Sequence, residues 1–135
     1  MTLDHRQAAR HVTRLYDAAL RPIGLGLNQY SILAKLERFG PQTIQELSTL
    51  LVMDRSTVGH LLRPLEQRAL VTRDVAQADR RSRVVALTPA GRELMRAARP
   101  LWASAERRFE RAFGTDDAVS MRRLLKRVTA TELQP

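Results

Sequence analysis

Apolar residues recur at three- and four-residue steps along most of the chain, and shorter strand-like runs replace that rhythm once, between positions 70 and 88. Three- and four-residue steps stack side chains on one face of a helix. From Asp4 to Leu20 the stripe is Ala8, Val12, Leu15, Tyr16, Ala19 and Leu20, with Arg6, Arg10, Arg14 and Asp17 on the remaining face. Pro22, Gly24 and Gly26 end this helix, and Asn28 is suited to cap a second, whose apolar set is Tyr30, Ile32, Leu33 and Leu36. Gly40-Pro41 stops it. Thr43 then caps a short helix, with Glu46 completing a capping box and Ile44, Leu47, Leu50 and Leu51 facing inward.

After a break at Val52-Met53, Asp54 caps a fourth helix reaching about Arg68, with Val58, Leu61, Leu62 and Leu65 as its buried stripe. Leu70 to Val75 and Arg83 to Leu87 read as two short strands joined by the polar, arginine-rich connection Ala76 to Ser82. Thr88-Pro89 pairs a cap with proline at the first helical position and opens a long helix through Phe113. Its stripe is Leu94, Ala98, Leu101, Ala105, Phe109 and Ala112, widened by Met95, Trp102 and Phe113. Gly114 ends it, and Thr115 is expected to cap a last helix carrying Val119, Leu124, Leu125 and Val128. The predicted fold is mainly α with a small β-hairpin.

Composition narrows the function. A length of 135 residues suits one domain, and the absence of cysteine excludes disulfides, thiolate metal sites and thiol redox chemistry. No apolar run is long enough to span a membrane and the first residues lack a signal-peptide core, so the expectation is a cytoplasmic protein. With 23 Lys and Arg against 14 Asp and Glu, the formal charge is +9, which makes a polyanion the first partner to consider. Only Lys35 and Lys126 are lysines, and arginine suits bidentate phosphate and guanine contacts. Neither a nucleophile with its base nor a glycine-rich phosphate loop is recognisable, so no enzyme is expected. Asp116-Asp117 serves a helix dipole, and Gly24-Leu25-Gly26 follows a helix and makes a turn. His5, His11 and His60 are scattered, so no metal is expected, and no cofactor either.

Residues Thr43 to Arg68 make a helix-turn-helix, in which the second helix presents its first turns outward. The exposed positions there are Arg55, Ser56, Thr57, His60 and Arg63, all able to reach base edges or phosphates. The hairpin brings Arg80, Arg81 and Arg83 to one loop, a crowding that becomes favourable beside phosphates or a narrow minor groove. Asp79 is expected to orient that loop through an ion pair with Arg81 or with a recognition-helix arginine. The terminal stripes lie far in sequence from this middle unit, and a helical dimer would bury them.

The run Asp79-Arg80-Arg81-Ser82-Arg83-Val84-Val85-Ala86-Leu87-Thr88-Pro89-Ala90-Gly91 resembles the wing signature of the MarR family of bacterial regulators. Asp54 to Val58, followed by Leu65 to Val71, similarly resembles that family's recognition helix and its exit. The resemblance implies a winged helix-turn-helix lobe at 28–88, with 1–27 and 89–135 forming an intertwined helical dimerisation region. It implies recognition helices in successive major grooves of a pseudo-palindromic DNA operator, wings in the flanking minor grooves, and Arg81 as the minor-groove reader. It also implies a repressor relieved by a small aromatic or phenolic ligand, for which His11, Arg14, Tyr16 and Tyr30 are the candidate residues. The alternative is a non-specific architectural DNA- or RNA-binding protein. Three positions depart from the pattern: Ala69 replaces a common glycine, Pro64 lies inside the recognition helix, and His60 stands where arginine is frequent. Asp79→Ala is expected to weaken DNA binding although it raises the positive charge, and unchanged or tighter binding in a gel shift would remove the orienting role.

Overall fold

The computed structural model describes residues 4–76 and 79–134, and for the strand residues 75, 76 and 79–82 it describes the backbone alone. The described residues form six helices, one 3-10 turn and a three-stranded sheet: α1 (His5–Leu20), the turn Arg21–Ile23, α2 (Leu27–Phe39), β1 (Gln42–Thr43), α3 (Ile44–Leu51), α4 (Arg55–Gln67), β2 (Val71–Ala76), β3 (Asp79–Leu87), α5 (Pro89–Phe113) and α6 (Thr115–Ala130).

Local chemistry explains most of the helix starts. Asp4 accepts from the Gln7 N–H at 2.9 Å, Thr43 from Glu46 at 3.0 Å, Asp54 from Thr57 at 2.7 Å and Thr88 from Gly91 at 3.0 Å. Two starts differ from the sequence expectation. Asn28 lies inside the first turn of α2, and the cap comes from α1, where Asp17 Oδ1 accepts from the Leu27 N–H at 2.7 Å. Thr115 is the first residue of α6, whose N-cap is Gly114, without a side-chain cap bond.

The sheet also differs. Its order is β1-β3-β2, and the third strand, β1, pairs Gln42 with Val85 and Thr43 with Val84. Asp79 to Ser82, expected in the connection, begin β3, and the register between β2 and β3 shifts between Val75 and Ala76. Strand pairing therefore extends nearer the hairpin tip than residue propensity suggests.

The core gathers Leu20, Ile32, Leu33, Leu47, Val58, Leu62, Leu65, Val85 and Met95, all 0–1% exposed. Toward the chain ends the apolar stripes lack cover within the chain. Val119, Leu124, Leu125 and Val128 on α6 are 50–59% exposed, and Phe113 is 47% exposed.

The exit from α4 is the tightest junction. Ala69 adopts φ +57°, the left-handed conformation that glycine usually supplies, and Leu70 N–H bonds to the Leu65 carbonyl at 2.9 Å. Thr88 Oγ1 donates to the Ala69 carbonyl at 2.6 Å, and Thr88 N–H donates to the Leu70 carbonyl at 3.1 Å. Helix α5 then passes so close that a Cβ on Gly91 would lie 2.2 Å from the Leu70 carbonyl oxygen. No L side chain fits there without moving backbone. Gly91→Ala is therefore expected to destabilise the fold by about 2–3 kcal/mol. Ala69→Gly should stabilise it by about 1 kcal/mol by removing left-handed strain. Both shifts are readable in urea denaturation midpoints.

Candidate nucleic-acid interface

Between α3 and α4 the chain turns through Val52, which holds φ +54° although β-branched. The turn is held by Met53 N–H to the Ser48 carbonyl at 3.0 Å, and the Ser48 hydroxyl donates to the Met53 carbonyl. This geometry aims α4 so that Val58, Leu62 and Leu65 are fully buried while Arg55, Ser56, Thr57, His60 and Arg63 are all exposed. The predicted set therefore lies together on the outward side of one helix. Pro64 sits within α4 and leaves the His60 carbonyl without its usual donor, yet the helix continues to Gln67.

At the start of α4 the Asp54 carboxylate accepts from the Thr57 backbone and hydroxyl, which holds its pKa below the ordinary 3.8. The Asp54 carboxylate offsets the partial positive charge of this helix start, and the positive charge there is carried by the exposed Arg55. A surface of this kind donates hydrogen bonds to anionic oxygens.

The other end of α4 is tied to the hairpin. Glu66 forms an ion pair with Arg73 of β2, and both side chains are about one-third exposed or less (34% and 27%). The Arg73 Nε is buried without a hydrogen-bond partner among the described residues. Around this pair an open groove of about 650 Å³ is lined by Arg63, Glu66, Val71, Thr72, Arg73, Asp74 and Arg83. Arg63 of the helix and Arg83 of the hairpin thus flank one cleft. Sequence reading missed the Glu66–Arg73 pair, whose partners lie on different elements. The side chains of Asp79, Arg80 and Arg81 lie outside the described residues.

The four ligand candidates fall in two places. His11 and Arg14 line an open groove of about 660 Å³ between α1 and α5, with Val12, Leu15, Phe109 and Phe113 as its apolar part. Tyr16 and Tyr30 instead stack on Trp102 of α5, with ring centroids 4.2 and 4.7 Å apart. The Tyr16 hydroxyl donates to Glu106 at 2.5 Å, and Arg122 of α6 bridges Glu106 and Glu110 at 2.6 and 2.9 Å. Burial and the Glu106 carboxylate push the Tyr16 pKa up. Burial, reinforced by Glu37, raises that of Tyr30. Both phenols therefore stay neutral at ordinary pH.

Residues 25–82 match the MarR family profile. The chain is 33% identical over 82 residues to the uncharacterised HTH-type transcriptional regulator YwoH of Bacillus subtilis, covering 61% of this chain and 59% of that protein. It is 29% identical over 84 residues to the organic hydroperoxide resistance transcriptional regulator of the same organism, covering 62% and 57%. The match thus spans less than two thirds of either relative. Among solved structures, the transcriptional repressor CouR bound to a 23-mer DNA duplex superposes with a TM-score of 0.84 at 27% identity, covering 91% of this chain and 87% of that one.

The segment 25–82 is thus similar to the MarR family. The matched segment runs from just before α2 into β3 and so contains the helix-turn-helix, β2 and the first residues of β3. Gly91 and Thr88 of the wing signature lie beyond it, where they serve the α5 junction described above.

Because the Asp54 pKa is lowered by folding, its capping contribution is complete above the unfolded value near 3.8 and is lost as pH falls through the lower folded value. Asp54→Ala is expected to lower the melting temperature at pH 7. It should also remove part of the stability loss between pH 4 and the acid limb, measured as melting temperature against pH for both proteins.

Proposed function

We propose that the protein is a dimeric, sequence-specific DNA-binding regulator that represses transcription. The observation that carries this reading is the outward side of α4, where Arg55, Ser56, Thr57, His60 and Arg63 are all exposed together. In this reading Arg55, Ser56, Thr57, His60 and Arg63 meet the major groove, and Arg80, Arg81 and Arg83 meet phosphates or the adjacent minor groove. Asp79 keeps the wing arginines oriented. The formal charge of +9 supplies the salt-dependent part of the affinity.

The second copy follows from the uncovered faces. The α6 residues Val119, Leu124, Leu125 and Val128, with Phe113 of α5, present apolar area that one chain leaves in water. A second copy covers such a stripe with the same stripe, which is the self-complementary geometry of a two-fold interface. The dimer also gives the DNA reading its spacing, because two recognition helices serve one duplex when they lie about 34 Å apart. Release by a small aromatic or phenolic ligand fits the same geometry, since a molecule wedged among α1, α2 and α5 would change that separation. The CouR complex with a duplex supports the DNA part of the reading by analogy of a related fold.

Selection of duplexes from a random pool, followed by gel-shift competition, tests the proposal. A selected operator should outcompete random duplex, and Arg55→Ala or Arg81→Ala should weaken it by about 1–3 kcal/mol. Equal competition by random duplex would favour the architectural alternative, to which the high charge also lends itself. In sedimentation, Leu125→Glu should convert the dimer to monomer, and the same variant should lose operator binding.

A further inference from the structure

We propose that Arg68 is a positioning residue that sets the tilt of the recognition helix against the dimer-forming helices, and with it the half-site spacing the protein accepts. This rests on the dimeric DNA-binding reading above. Arg68 caps the C-terminal end of α4, where its N–H donates to the Pro64 carbonyl at 3.1 Å. Its guanidinium leaves the lobe and reaches back to the 3-10 turn that joins α1 to α2. There Nη1 donates to the Gly24 carbonyl at 2.9 Å and Nη2 to the Ile23 carbonyl at 3.0 Å.

Those carbonyls sit at a helical end, where backbone acceptors lack intrahelical partners. Gly24 turns the chain at φ +70°, and a Cβ there would lie 3.2 Å from Arg68 Nη1. Glycine therefore both makes the turn and leaves room for the planar fork. The turn immediately follows Leu20, the fully buried last residue of α1.

Apolar contacts of Val58, Leu62 and Leu65 with the lobe core have no preferred direction, and the directed ties of α4, the Glu66–Arg73 pair and the Ala69–Leu70 junction, lead to the hairpin and to the start of α5 rather than to α1. Two parallel N–H bonds from one planar group do fix direction. A lysine, with a single point charge, does not reproduce that fork. Arg68 thus joins the end of the recognition helix to the end of α1.

The test uses the full chain and the operator that the wild type selects, together with duplexes in which the half-site separation is one base pair longer or shorter. Binding is measured at several salt concentrations. Arg68→Ala is expected to bind the selected operator about tenfold more weakly, with an unchanged slope of log K against log salt and a flattened preference among the three spacings. Arg68→Lys should behave as Arg68→Ala does. Gly24→Ala, which disturbs the acceptor side of the same contact, should flatten the preference too, with folding of each variant followed by circular dichroism.

Wild-type spacing preference in Arg68→Ala, or its rescue by lysine, overturns the inference. So does a salt slope reduced by about one, which would make Arg68 a phosphate ligand. If the wild type selects no duplex at all, the DNA reading falls and this inference falls with it. Selection by the wild type with unaltered spacing in the variants overturns the inference alone.

Discussion

The closest constraint in the molecule is the passage of α5 against the turn that leaves α4, where Gly91 faces the Leu70 carbonyl with no space for a methyl group. Thr88 fixes the same point from the other side, donating its hydroxyl to Ala69 and its N–H to Leu70 while capping α5. Three elements with separate tasks therefore share one backbone junction. The recognition helix ends there, the first wing pair Val71–Leu87 starts one residue further on, and the long helix departs from it. Because each contact is made to backbone, they allow little sliding. Residues on the outer side of α4 can consequently vary without disturbing its direction. The left-handed Ala69 shows that the junction is strong enough to hold an alanine where glycine would be less strained.

What could be read from the sequence was whatever is local. The helices were legible because a 3.6-residue period leaves a stripe, and the caps at Thr43, Asp54 and Thr88 were legible because each bonds three residues ahead. The cap of α2 was misplaced to Asn28 because its true source, Asp17, acts from another helix. Strand β1 escaped notice since two residues carry no alternation, and it exists only through pairing with β3. Val52 gave no sign at all, as valine is among the residues least suited to positive φ.

The candidate interface divides in the same way. Exposure of Arg55, Ser56, Thr57, His60 and Arg63 followed directly from the burial of Val58, Leu62 and Leu65 on one helix. The supports of that helix did not follow, because Glu66–Arg73 and Arg68 with Ile23 and Gly24 join positions that only the fold brings together. The tyrosines were placed correctly on the first two helices, but their shared partner, Trp102, is distant in sequence and became visible only in the packed structure.

That stack has a mechanical consequence. Tyr16 of α1, Tyr30 of α2 and Trp102 of α5 meet two residues beyond Pro100, which interrupts the backbone hydrogen bonding of α5 by removing the donor to Arg96. The helix is 25 residues long, about 37 Å from end to end. Its stiff N-terminal half is anchored to the lobe by Gly91 and by the Arg99–Glu37 ion pair. Its C-terminal half carries Glu106 and Glu110, which hold Arg122 of α6. The softest backbone of α5 thus lies where the lobe and the terminal helices divide. A tilt of about 5° there displaces the C-terminal end of α5, about 20 Å along the helix, by nearly 2 Å. Such a shift is about half the rise of one base pair, roughly 3.4 Å, so under the proposed dimeric reading of DNA a small change in the aromatic stack would be felt in the separation of the two recognition helices.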